Sequence, residues 1–189
     1  MLRSQIIGVG GYVPPNVVTN HDLSSRIDTS DEWIQQRTGI RERHWVADGS
    51  SNSDLGFRAA EGALKAAGVA KENIDLIIYA TLSPDHEFPG NACFLQAKLG
   101  LNGIAALDIR QQCSGFIYGL SVADQFIRSG MFRRVLLVGS EIHSTGLDVS
   151  TRGRDVSVIF GDGAGAVVIE ACEVKDPSRD SFIYSTHLH

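Results

Sequence analysis

The stretch IAALDIRQQCSGFIYGLSVADQFIR, residues 104–128, carries the pattern from which the fold is predicted. Residues 104–109 form a short apolar run, which predicts a β-strand. Cys113 follows after three polar residues, and apolar side chains then recur on nearly every side of a helical stretch that extends to Arg128. Because a helix that is apolar all round has to be covered, this helix is predicted to be a buried, central one.

The rest of the chain alternates short apolar runs with amphipathic stretches. Residues 74–81 (IDLIIYAT) form a continuous apolar run, typical of a strand buried on both faces in a parallel sheet. The sequence therefore predicts an α/β fold with helices on both faces of a mixed sheet. Further strands are predicted at 6–12, 135–139, 156–160 and 164–171, and the last two flank a hairpin loop at Gly161-Asp162-Gly163. Helices are predicted from Ser30 to Gly39, from Ser53 or Asp54 to Gly68, and over 91–99.

Length, charge and cysteine content exclude several classes of protein. A chain of 189 residues suits one domain or one large lobe, and its net charge of −5 argues against broad binding to nucleic acid or an anionic membrane. It has no run of eighteen apolar residues and no signal-peptide pattern, so we expect neither a membrane span nor export. Cys93, Cys113 and Cys172 have no metal-ligand spacing and form no even disulfide set, which predicts a reduced, cytoplasmic protein without a metal site.

Cys113 is the candidate nucleophile of the chain. A thiol at the first turn of a helix is close to roughly half a positive charge and to unpaired N–H groups. Both favour the reactive thiolate and can stabilise a developing oxyanion. The alternative is that Cys113 is a small buried hydrophobic residue, as most free cysteines are. For Cys93 and Cys172 that alternative is favoured, because neither opens a helix after a strand.

Three motifs, in order and at similar spacing, resemble those of β-ketoacyl-acyl carrier protein synthase III. They are residues 29–33 (TSDEW) with 37–40 (RTGI), residues 112–116 (QCSGF), and residues 160–166 (FGDGAGA). The resemblance covers nearly all of this chain but only the first half of the family's length. It implies a thiolase-like fold of five αβαβα layers, of which residues 1–189 would be the N-terminal half, with the C-terminal half absent from this chain.

The resemblance also implies a reaction. Cys113 would take an acyl group from acyl-CoA for decarboxylative Claisen condensation with a malonyl thioester, without a cofactor. Acyl carrier protein is an expected partner, and the malonyl group could be carried on it or on CoA. The family's catalytic His and Asn lie in its second half, and His187 and His189 match a family strand rather than that His, so no base is assigned here. We expect the second half to come from another chain or a longer precursor, and complete units to form a homodimer.

The resemblance assigns substrate-binding roles to two groups of residues. Trp33 and Arg37 share one helix face and would bind the adenine ring and phosphates of CoA. Arg154, six residues before Phe160, matches a second CoA-contacting arginine, and Arg152 is close enough to be confused with it. The alternatives are an ordinary amphipathic helix and two solvated loop charges.

Phe88 and Phe160 are the candidate acyl-pocket residues. The family residue that matches Phe88 reaches across a dimer interface into the partner's acyl pocket, whereas the alternative is a phenylalanine buried in its own core. Phe160 would line the same pocket, or would be a plain core strand residue. The glycines at 161–165 precede a strand-like run rather than a helix, so a tight turn is favoured over a nucleotide-binding loop.

Some residues depart from the family's usual pattern. Gln112 and Ser114 replace small apolar neighbours of the cysteine, and residues 82–86, 107–110 and 152–154 look more like a secondary-metabolism branch that includes alkylquinolone-forming synthases. The acyl donor therefore stays open between fatty-acid initiation and specialised synthesis. A non-catalytic half-domain that serves as a scaffold or assembly partner is the alternative function, although a scaffold needs neither Cys113 nor Trp33 nor Arg37.

Overall fold

The computed structural model describes residues 2–178 and 180–188, so His189 lies outside the described residues. Short 3-10 turns at 71–73, 112–114, 144–146 and 151–153 connect the regular elements. Those elements are, in chain order, β1 (Leu2–Tyr12), β2 (Asn16–Thr19), α1 (Asn20–Ser24), α2 (Asp31–Thr38), β3 (Glu42–Trp45), α3 (Asn52–Ala67), β4 (Leu76–Ala80), α4 (Asn91–Lys98), β5 (Ala105–Ile109), α5 (Gly115–Arg128), β6 (Arg134–Glu141), α6 (Arg154–Ser157) and β7 (Gly163–Glu173).

The central sheet is mixed, as predicted. Its strand order is β1-β7-β6-β4-β5, in which β4 runs parallel to β5 and β6 while β7 runs antiparallel to β6 and β1. All five residues of β4 are buried, which confirms the prediction from its continuous apolar run. Strand β4 therefore lies inside the fold, whereas β5 is an edge strand whose three middle residues are exposed.

Helices cover both faces of this sheet. On one face, α3 and α4 bury small and aliphatic side chains such as Ala59, Ala63 and Leu95 against β4, β6 and β7. On the other face, α5 contributes Ala123 and Ile127 to a second apolar cluster. Gly8 and Gly10 of β1 let the backbone of α3 approach, since a Cβ atom at either position would collide with that backbone.

Helix α5 lies against the sheet along one side, where Gly115, Gly119, Ala123 and Ile127 are buried. Its other side is more open, and Ile117 there is 49% exposed. Residues 180–188 pass close to β1, where the Ile183 amide donates to the Ser4 carbonyl at 2.7 Å, but they form no regular element. No helix of residues 2–178 and 180–188 has the length and apolar character to cross a membrane.

Residues 16–45 form what we call the small unit, in which β2 and β3 pair with each other apart from the central sheet. The unit has its own apolar cluster of Val18, Leu23, Ile27 and Ile34, which Val158 joins from far along the chain. Helix α2 begins after Ser30, whose side chain accepts a bond from the Trp33 amide, and ends at Gly39 with φ of 73°. These boundaries confirm the predicted helix.

Two predicted boundaries were wrong. Helix α3 is capped by Ser51 rather than by Ser53 or Asp54, because Ser51 and Asp54 form a reciprocal capping box. The predicted hairpin at Gly161–Gly163 is absent from the described chain: residues 154–157 form α6, and β7 pairs with β1 and β6 instead. The hairpin does not form because the buried Asp162 carboxylate accepts hydrogen bonds from backbone amides far along the chain, at Val46, His143 and Ser144, instead of closing a local turn.

Candidate active site

Cys113 lies at the carboxyl edge of the parallel strands. Strands β4, β5 and β6 run parallel, so their carboxyl ends meet at one edge of the sheet, where ligands of open α/β sheets bind. Cys113 lies in the turn between β5 and α5 and is exposed, which excludes the buried-hydrophobe alternative. Regular α-helix begins at Gly115, so the cysteine precedes the helix rather than opening it.

The backbone on both sides of Cys113 is tightly held. Gln112 has a φ of 44°, a left-handed conformation that costs a non-glycine residue on the order of 1–3 kcal/mol. The backbone amide and hydroxyl of Ser114 both donate to the Gln111 carbonyl, at 3.2 and 2.9 Å. A Cβ atom at Gly115 would lie 3.2 Å from the Ala80 Cβ, so the start of α5 packs directly on the end of β4. The thiol is thus presented from a fixed, strained turn.

The other two cysteines lie elsewhere. Cys93 is exposed on α4, so its predicted core position is wrong, while Cys172 is partly buried on β7. Burial, together with nearby Asp180 and Glu170, raises the pKa of the Cys172 thiol and so disfavours its thiolate. The residues of 2–178 and 180–188 include no cluster of three His, Cys, Asp or Glu side chains able to hold a metal ion.

A buried polar network supports the same edge of the sheet. The Asn52 side-chain amide donates to the Thr81 hydroxyl at 3.0 Å and to the carbonyls of Ser83 and Ser140 at 2.9 and 3.1 Å. Its oxygen accepts the Tyr79 hydroxyl at 2.7 Å. Burial raises the pKa of Tyr79 well above its usual value, so this hydroxyl stays protonated as a donor. The network joins the start of α3 to the ends of β4 and β6.

Glu141 fixes the chain that leaves β4. Its carboxylate accepts the backbone amides of Leu82 and Ser83, at 2.9 and 3.2 Å, together with the hydroxyls of Ser83 and Thr81. Neither Glu141 nor Asn52 was singled out from the sequence. Their roles depend on strands that are far apart in the chain, so no local signal would have identified them.

The loop that carries Phe88 is held on either side but leaves this side chain in solvent. The Asp85 carboxylate accepts a hydrogen bond from the backbone amide of Asn52 at 2.6 Å, and the Asp108 carboxylate accepts one from the backbone amide of Asn91 at the same distance. Arg110, three residues before Cys113, pairs with Glu87 at 3.0 Å. Phe88 itself is 86% exposed, which excludes the alternative of a phenylalanine packed in its own core.

Two arginines lie close to the ring system of Trp33. The guanidinium carbons of Arg37 and Arg154 are 4.2 and 4.6 Å from the centroid of its ring system, within cation–π range. The three side chains line an open surface cavity of about 450 Å³, to which Val158 and Ile159 also contribute. A flat aromatic face beside two cations is suited to a ligand with an aromatic ring and phosphates.

Arg152 does not join this cluster. It pairs with Asp148 at 2.8 Å, and its side chain is 90% exposed. Arg154 instead donates to the Asp28 carbonyl at 3.1 Å, which ties α6 to the loop before α2. The two arginines, which the sequence could not separate, therefore have different surroundings.

Phe160 is partly buried beside His143, with ring centroids 4.7 Å apart, and does not lie in a strand. The chain next to it is anchored by Asp162, which is only 5% exposed. The Asp162 carboxylate accepts the backbone amides of Val46, His143 and Ser144 at 2.7, 2.8 and 2.9 Å. This role of Asp162 was not predicted from the sequence, although an acidic residue between two glycines was a possible signal.

Comparisons with known proteins agree with this geometry. The family model of 3-oxoacyl-[acyl-carrier-protein] synthase III matches residues 107–188. The β-ketoacyl-acyl carrier protein synthases III of Paramagnetospirillum magneticum and Xanthomonas campestris are 49% and 52% identical over 189 and 188 residues. Both alignments cover 100% of this chain but only 58% and 55% of the relatives, so the chain spans a little over half of their length.

Solved structures give the same result. The crystal structure of 3-oxoacyl-[acyl-carrier-protein] synthase III from Aquifex aeolicus has a TM-score of 0.86 and 47% identity, over 92% of this chain and 55% of that one. The Pseudomonas aeruginosa synthase III has a TM-score of 0.85 and 39% identity, over 92% and 53%. The chain thus has the thiolase-like fold of these synthases. Over its whole length the chain is similar to β-ketoacyl-acyl carrier protein synthases III, and it corresponds to the N-terminal half of these relatives.

Proposed function

We propose that this chain supplies the acyl-accepting cysteine of a decarboxylative condensing enzyme, and that this cysteine is Cys113. The observation that carries the proposal is the exposed thiol on a strained turn, at the edge of the sheet where three parallel strands end. The names of the relatives supply the reaction class, a β-ketoacyl synthesis on acyl carrier protein.

The proposed reaction has two steps. The Cys113 thiolate attacks the thioester carbonyl of acyl-CoA, the bond to the CoA sulfur breaks, and CoA leaves as a thiol after taking the proton lost by the cysteine. A malonyl thioester on acyl carrier protein then loses CO₂, and the resulting carbanion attacks the acyl-cysteine carbonyl. The cysteine thiolate departs, and a β-ketoacyl thioester is released.

CoA would bind at the cavity beside Trp33. The adenine ring would stack on the indole, while Arg37 and Arg154 would neutralise phosphates. The distances of both guanidinium groups from Trp33 support these two assignments, and the separate pairing of Arg152 with Asp148 favours Arg154 over it. Phe160 would line the acyl pocket, where its ring contact with His143 adds an imidazole beside that position.

A complete enzyme would need further polypeptide. Residues 1–189 would form one half-domain, and a second half, in a longer precursor or another chain, would cover the open side of α5 at Ile117 and supply the remaining catalytic groups. Complete units would pair as a homodimer, in which exposed Phe88 reaches the partner's acyl pocket. The free cysteines agree with a cytoplasmic location.

The test is intact-protein and peptide mass spectrometry after incubation with acetyl-CoA and a panel of longer and aromatic acyl-CoAs. We expect the mass of one acyl group on Cys113, and none on Cys113→Ser. Cys93→Ser is the matched control, since Cys93 is also exposed, and it should keep the adduct. Wild-type protein that acquires no adduct, even with the second half present, would contradict the proposal and support a scaffold.

A further inference from the structure

Arg43 is a buried charge without an acidic partner. Its side chain on β3 is 5% exposed, and within the described residues it forms no ion pair with Asp or Glu. Its Nε atom is buried without a protein partner. Enclosing an unpaired guanidinium opposes folding, so apolar packing alone does not explain this residue.

The bonds that Arg43 does form join two segments far apart in the chain. One terminal nitrogen donates to the Val18 carbonyl of β2 at 3.2 Å, and the other donates to the Val158 carbonyl at 3.0 Å. Val158 directly follows α6, and its amide bonds to the Arg154 carbonyl at 3.3 Å. Only Arg has this fork of donors, so lysine cannot reproduce both bonds.

The neighbouring residues of β3 hold the same segment. The His44 carbonyl accepts the Asp162 amide at 2.8 Å, and the Val46 amide donates to the Asp162 carboxylate at 2.7 Å. Residues 43–46 therefore fix residues 158–162 at both ends. The first anchor, Val158, lies four residues after Arg154, and Phe160 lies between Val158 and the second anchor, Asp162.

We infer that Arg43 is a positioning residue for the CoA cavity, acting through Val158 to hold Arg154 over Trp33. The inference rests on the proposed function, since it assumes that this cavity binds CoA. Val158 lines the cavity, whereas buried Arg43 is not one of its lining residues. Loss of the Val158 bond releases the end of α6, and Arg154 then loses its fixed distance from the indole.

The test is titration calorimetry with free CoA, combined with steady-state kinetics in the completed enzyme. Arg43→Met should weaken CoA binding about tenfold, which corresponds to Arg154 being in its binding position in roughly a tenth of the molecules. KM for acyl-CoA should rise to match while kcat is unchanged, and the rate at which iodoacetamide alkylates Cys113 should not change. Arg41→Met is the matched control, since Arg41 is exposed two residues earlier on the chain, and it should bind like wild type.

Several outcomes would overturn the inference. Folded Arg43→Met with wild-type CoA affinity contradicts it, as does a loss of CoA binding accompanied by a changed rate of Cys113 alkylation, which indicates a general structural change. If Arg43→Met does not fold, Arg43→Lys carries the test, and unchanged affinity in that variant overturns the inference. Wild-type protein that binds no CoA refutes the proposed cavity function instead. Hydrogen exchange of residues 154–162 then decides separately whether Arg43 holds the segment.

Discussion

The central sheet and the small unit handle buried polar groups differently. In the sheet, Asn52, Glu141 and Asp108 satisfy several backbone groups each, and apolar side chains fill the rest. Within the described residues, four of the five buried side-chain polar atoms without a protein partner belong to the small unit, on Asn20, Thr29, Arg43 and Trp45. Buried polar groups are therefore satisfied by protein partners less completely in the small unit than around the sheet.

The largest effect should come from the close contact between β1 and α3. Gly10→Ala places a Cβ atom against the backbone of α3 at Ala59, which cannot move as a side chain could. We expect a loss of about 3 kcal/mol in the free energy of unfolding, measured by urea denaturation. Gly11→Ala is the control, since its nearest new contact is 3.6 Å and ordinary, and it should change stability little. Equal effects at both glycines would show that the approach of α3 does not limit stability.

A matched pair of substitutions separates the two regions. Ile34 in the small unit and Ile77 in β4 are both fully buried, and Ile→Val should cost about 1 kcal/mol at each. We expect Ile34→Val to speed hydrogen exchange mainly in residues 16–45, and Ile77→Val to act only through global unfolding. The same global effect from both variants would show that the small unit and the sheet unfold as one.

The smallest effect concerns the capping boxes, one in each region. The hydrogen bond from Lys98 lowers the pKa of Asp54 most, and the hydrogen bond from Ser51 lowers it further. The ionised carboxylate therefore stabilises the folded state, and this contribution is fully present above the ordinary pKa of 3.8. This contribution is lost as the pH falls through the lowered pKa, and it should be under about 1 kcal/mol because the carboxylate is half exposed. Asp54→Asn and Lys98→Met should both flatten the acid side of the stability–pH curve.

Asp22 provides the contrast for that measurement. Asp22 belongs to the capping box of α1, and its hydrogen bonds from Thr19 lower its pKa. Unlike Asp54, it has no lysine among its hydrogen-bond partners in the described part of the chain. Asp22→Asn should therefore flatten the curve less than Asp54→Asn does. A larger effect at Asp22 would reverse the comparison and show that the small unit depends more on its charged cap than the sheet does.

Local signals predicted much of the fold. The apolar run was sufficient to predict β4, and the residues Ser30 and Gly39 were sufficient to predict the two ends of α2, in both cases without tertiary information. The hairpin prediction failed because bonds from Asp162 to Val46 and His143 outweigh the local preference of its glycines. Strands β2 and β3 were missed, since each has only four residues and a single buried one.

The candidate site was only partly predictable for the same reason. Its place between a strand and a helix made Cys113 a candidate, and the resemblance then favoured it over a buried core cysteine and supplied Trp33 and Arg37. The choice between Arg152 and Arg154 depends on which of them folds back onto Trp33, a contact of high sequence separation. Arg43 and Glu141 act only through chain segments far from their own, so their pattern in the sequence resembles that of ordinary surface charges.

The pairing of β1 with β7 has a consequence for biosynthesis. Their partnered residues are at least about 150 positions apart, for example Tyr12 with Ala164. At a translation rate of 5–20 residues per second, a nascent β1 waits roughly 8–30 s on the ribosome before β7 is made. During that interval its unpaired edge is open to other chains, so folding yield in the cell should depend on chaperones that bind the emerging segment.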